Sequence, residues 1–77
     1  MALKDWKRIG GISYEGKVVE INYKNKKSGN VLTIFSKGHS VNTKEWGVMA
    51  DNPIRLIGDF NGKNQALKYA KGYMRDN

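Results

Sequence analysis

The feature that most constrains this chain is a change of hydrophobic period near Asn61. Before that point apolar residues alternate by two, as in Val19, Ile21 and Tyr23. Beyond it Ala66, Leu67, Ala70, Tyr73 and Met74 recur at helical spacing and form one stripe. A chain of strands followed by a single helix has few ways to bury both apolar surfaces. The expected solution is an α+β fold, a small antiparallel β-sheet of three to five strands packed on one C-terminal α-helix. One helix covers one sheet face, so the other face is left to water or to a partner.

Local signals divide the chain further. Residues 1–11 are basic and end in Gly10-Gly11, which reads as a break and marks an N-terminal arm. Residues 12–24 read as one long strand, and Asn25-Lys26-Lys27-Ser28-Gly29-Asn30 as a hairpin loop without apolar side chains. Residues 31–36, Val-Leu-Thr-Ile-Phe-Ser, return as a strand by their β-branched and aromatic content. Lys37-Gly38 breaks the pattern again, and residues 39–50 hold one or two short strands, at 39–41 and 46–49. Asp51-Asn52-Pro53 is a turn and residues 54–57 are the last strand, closed by Gly58 and Asp59. Asn61 is the expected helix N-cap, because its side-chain oxygen can accept from the free N–H groups of the first turn. The sheet therefore spans 12–60 and the helix 61–75.

With 77 residues the chain has room for one domain and one thin core. A deep substrate pocket of the usual ~300 Å³ or more is not expected in so small a body. There is no cysteine, which removes disulfides, thiolate metal sites and cysteine nucleophiles. His39 is the single histidine, and the flanking Ser36 and Ser40 do not make a triad. It reads as a loop residue or a contributor to an anion-binding surface. Glu45, Asp51 and Asp59 match no calcium-loop spacing, and the glycines form no phosphate-cradling motif. Neither an enzyme nor a bound cofactor is expected.

Charge carries the functional signal. Fourteen Lys and Arg face seven Asp and Glu, a net charge of +7. Such an excess points to an anionic partner. No segment approaches the ~20 apolar residues of a membrane span, and the opening segment has no apolar signal-peptide core. A cytoplasmic location and no membrane partner are expected. The abundance of Asn and Lys suggests an AT-rich bacterial or phage genome.

The cations fall into three sequence groups. Lys4, Lys7 and Arg8 accompany Trp6. Lys17, Lys24, Lys26 and Lys27 run along the first hairpin. Lys63, Lys68, Lys71 and Arg75 lie on the helix. Together with Lys37 they could neutralise phosphates and release counterions. Tyr14, Tyr23 and Trp46 are candidates for stacking on bases, although packing in the core is the better expectation for any one of them. The nucleic-acid-binding set read from sequence is Arg8, Lys17, Lys24, Lys26, Lys27 and Lys37 with Tyr14 and Tyr23. The excess is mostly Lys, which meets phosphate as a point charge, whereas Arg reads guanine bidentately.

Ile57-Gly58-Asp59-Phe60, followed by Ala66, Tyr69 and Ala70, resembles the end of an AP2-type DNA-binding domain. Arm-type DNA-binding domains of phage and transposon integrases share that plan. Gly16-Lys17-Val18-Val19-Glu20-Ile21 is similar to the family's first strand. The resemblance implies a three- or four-stranded sheet with a C-terminal helix, and DNA at a face carrying Lys17, Lys24, Lys26 and Lys27. Residues 37–53 are a long addition to the family's pattern.

The expected function is thus nucleic-acid binding, DNA before RNA. The alternative is a small phage-type protein that modulates a host protein through an acidic surface. An unpaired edge strand offers a route to a homodimer.

Overall fold

The computed structural model describes residues 3–51 and 53–76. A short 3-10 turn at Leu3–Asp5 leads into five strands and a helix. These are β1 (Trp6–Tyr14), β2 (Lys17–Asn25), β3 (Val31–Ser36), β4 (Glu45–Ala50), β5 (Arg55–Asn61) and α1 (Lys63–Asp76). The strands form one antiparallel meander in the order β1-β2-β3-β4-β5. The small α+β architecture with one C-terminal helix is the one expected.

The core lies between the sheet and α1. Ile21 stands opposite Ile34, and Ile34 opposite Val48, so three strands present branched side chains in one row. Leu32, Ile34 and Val48 are wholly buried, each worth about 1.5–3 kcal/mol by burial alone. From the helix, Ala66, Ala70 and Met74 are buried, with Leu67 and Tyr73 packed at the margin. The two alanines keep α1 close to the sheet. Trp6 and Tyr73 meet edge to face at 6.4 Å and tie the end of α1 to the start of β1.

Five local expectations need correction. Gly10-Gly11 does not end an arm, because β1 runs straight through it. Its pairing with β2 shifts between Arg8 and Gly10. A side chain on Gly11 would bring a Cβ within 2.6 Å of the Glu20 carbonyl oxygen, so glycine serves a close backbone approach. The predicted strand 12–24 is two strands. Glu15 and Gly16 have φ of 51° and 75°, and this two-residue turn reverses the chain.

Residues 39–41 form no strand. Lys37–His39 is a 3-10 turn, and β4 is the single strand of that region. The last strand is Arg55–Asn61 rather than 54–57, with a register shift between Val48 and Met49 that leaves Ile57 without a direct partner. Asn61 belongs to β5 and is not the helix cap. Gly62 precedes the helix, and its carbonyl accepts from the Ala66 N–H at 3.2 Å. Asn52, in the predicted turn, lies outside the described residues.

Candidate functional site

Pairing of β1 with β2 decides where the charge collects. Trp6 stands opposite Asn25 and Lys7 opposite Lys24. The N-terminal cations and the hairpin cations, far apart in sequence, therefore share one end of the sheet. Like charges directly opposite each other on antiparallel strands repel. Lys4, Lys7, Lys24, Lys26 and Lys27 are all exposed there.

The end is held rigidly. The Asn25 side chain is buried, and its Oδ1 accepts from the backbone N–H groups of Lys27 (2.8 Å) and Ser28 (3.0 Å). The Lys26 N–H donates to the Asp5 carbonyl at 2.8 Å, which joins the 3-10 turn to the β2–β3 turn. Lys27 Nζ is 3.8 Å from Asp5 Oδ2. Among the described residues, no ion pair joins Lys4, Lys7, Lys24 or Lys26 to a carboxylate. The adjoining Asp51 carboxylate accepts from the Val31 N–H at 2.7 Å and braces the end of β3.

The opposite end carries two ion pairs as well as the unpaired Lys17 and Lys63, which line one depression. Lys37 Nζ meets Asp59 Oδ1 at 2.6 Å, and His39 Nε2 meets Glu20 Oε1 at 2.8 Å. Glu20 Oε2 also accepts from Asn22 Nδ2 at 3.1 Å, and Asn22 Oδ1 accepts from Thr33 Oγ1 at 2.9 Å. This polar chain crosses the uncovered sheet face. Phe35 lies beside it, over Gly47, where an added Cβ would come within 2.7 Å of the ring.

The sequence-predicted residues are thus divided. Lys24, Lys26 and Lys27 come together, joined by Lys4 and Lys7. Arg8 is near but pairs with Tyr23 on the helix side of the sheet, and its Nε is 3.5 Å from the Gly10 carbonyl oxygen. Tyr23 is partly buried and packs against the core. Tyr14 and Lys17 face each other at the β1–β2 turn. With ~3.3 Å of rise per residue, that is about 23 Å from Lys24 along β2. Lys17 and Lys24 therefore lie towards opposite ends of β2. Lys37 is also at that opposite end, paired with Asp59. Nor is the middle of the uncovered face basic, since Glu20, Asn22, Thr33, Phe35 and Met49 occupy it. Trp46, the other stacking candidate, is buried.

Lys4 and Lys7 stood out in the sequence only as neighbours of Trp6. Their place beside Lys24 depends on a register that the Glu15-Gly16 turn sets. Among the described residues, no three His, Asp or Glu side chains are grouped to hold a metal ion. No helix among them is long and apolar enough to cross a membrane. No family model, curated protein or solved structure matches the chain.

Proposed function

We propose that this chain binds a nucleic-acid backbone, DNA in preference, through the lysines where the start of β1 meets the end of β2 and the β2–β3 turn. The observation that carries the reading is the Lys7–Lys24 cross-strand pair, flanked by Lys4 and Lys26, with no carboxylate among the described residues paired to any of the four. Holding like charges together costs the folded state a little, and a polyanion relieves that repulsion while releasing its own counterions. No exposed aromatic side chain stands among these lysines. The contacts are to phosphates and carry little base reading. The likeness of Ile57–Phe60 and the Ala66/Ala70 helix face to an AP2-type domain supports DNA as the polyanion.

The test is an amide NMR titration with a short duplex. Shifts concentrated at Lys4, Lys7, Lys24, Lys26 and Lys27 are the expected result. Shifts centred on Tyr14, Lys17 and Lys37, or none at moderate salt, would refute the assignment.

A further inference from the structure

The end of the sheet away from Lys7 and Lys24 holds a basic feature of a different shape. Lys17 opens β2 and Lys63 opens α1, far apart in sequence. Both line one open depression of about 380 Å³, together with Val18, Ser40, Thr43 and Trp46. Its floor is fixed, because Trp46 is buried and Val18 packs against the core. Its rim carries hydroxyls from the segment between the Lys37–His39 turn and β4. The Asn42 N–H donates to Ser40 Oγ at 3.2 Å, and the Glu45 N–H to Thr43 Oγ1 at 3.0 Å. Each oxygen is the acceptor within its own loop, which leaves its O–H to donate elsewhere.

The charge of the lining is of one sign. No Asp or Glu is among the described residues that line it, and no ion pair joins Lys17 or Lys63 to a described carboxylate. Neighbouring depressions differ in this respect. Lys37 lines one with Glu45 and Asp59, and Lys68 lines another with Asp76. Two ammonium groups and two hydroxyl donors converging on one concave surface suit a compact anion with several acceptor oxygens.

We infer that this depression binds a terminal phosphate, the group of a phosphate monoester. Such a group carries close to two negative charges at neutral pH, whereas each diester of a nucleic-acid backbone carries one. Lys17 and Lys63 set their charges against its oxygens, and Ser40 and Thr43 donate to them. The depression is larger than a phosphate, and Val18 and Trp46 supply apolar wall for the carbon side of the ester. Lys4, Lys7, Lys24 and Lys26 take no part, so this inference does not rest on the backbone-binding reading.

Amide NMR titration with adenosine monophosphate tests the proposal, beside cyclic adenosine monophosphate, a diester with the same base. The monoester is expected to shift Lys17, Ser40, Thr43 and Lys63, as is inorganic phosphate, and the cyclic diester to bind several-fold more weakly. Lys17→Gln and Lys63→Gln should each weaken monoester binding about tenfold. Lys17 is exposed and Lys63 partly so, and a cation in the first turn of α1 opposes the helix dipole. Both variants should therefore keep the fold, as their amide spectra would verify. A dinucleotide with a terminal phosphate separates the two carriers of the group. Tighter binding than the mononucleotide supports the proposal with a strand end as carrier, and equal binding supports it with a small metabolite. Equal affinity for the monoester and the cyclic diester, shifts centred elsewhere or absent, or folded variants that bind as the native chain does would overturn it.

Discussion

The two ends of the sheet are built from the same strands but treat charge in opposite ways. Where the start of β1 meets the end of β2, Lys7 faces Lys24, and no carboxylate among the described residues pairs with Lys4 or Lys26. At the far end Lys37 is matched by Asp59 and Glu20 by His39. Most of the cations carry no ion pair among the described residues, Lys17, Lys44 and Lys63 included, yet the strand register sets Lys7 and Lys24 directly opposite each other. Surface ion pairs contribute at most about 1 kcal/mol, so the Lys37–Asp59 and His39–Glu20 contacts are cheap to alter. Removing a cation from the crowded end is expected to relieve repulsion and stabilise the fold.

Changing each end in turn tests this contrast. The largest effect belongs to Lys24→Glu with Lys26→Glu, which should weaken duplex binding about a hundredfold, near 2.7 kcal/mol, by fluorescence anisotropy at fixed salt. Lys17→Glu with Lys37→Glu changes net charge equally and should cost only a few-fold.

Next is Asn25→Ala. It removes the buried oxygen that holds the Lys27 and Ser28 amides and should cost about 1–3 kcal/mol in thermal or denaturant unfolding. If stability is unchanged, the turn is not held as described.

A smaller effect of opposite sign follows at Lys7→Thr. Relief of the cross-strand repulsion should stabilise the fold by about 0.2–1 kcal/mol while weakening the binding of duplex DNA. Loss of both stability and binding would mean that Lys7 supports the fold. The least effect is expected from Lys37→Ala, which should change stability by less than about 1 kcal/mol and leave affinity untouched.

The parts legible in the sequence are those with local causes. β3 was readable because Val31, Leu32, Ile34 and Phe35 crowd a short segment between two polar breaks. The helix was readable because Ala66, Ala70 and Met74 keep one face of a 3.6-residue period. The β1–β2 turn escaped notice because Glu stands where Asn or Asp usually accompanies the glycine of such a turn. Gly10-Gly11 misled for a related reason, since glycine permits close strand contact as readily as it ends a strand. Lys17 and Lys24 lie on one strand, but seven residues apart they stand towards its two ends, and only Lys24 comes opposite Lys7. The juxtaposition of Lys7 with Lys24 is a long-range property that no local pattern encodes.

The central claim is that position, not total charge, carries the binding. The most direct measurement is the slope of log affinity for a duplex against log salt, for the native chain and the two charge-reversed pairs. Four to five phosphate contacts predict a native slope of about −4. The Lys24/Lys26 variant should fall to about −2. The Lys17/Lys37 variant should keep the native slope. Equal flattening in both variants would contradict the account, because the protein would then be bound by its overall charge alone.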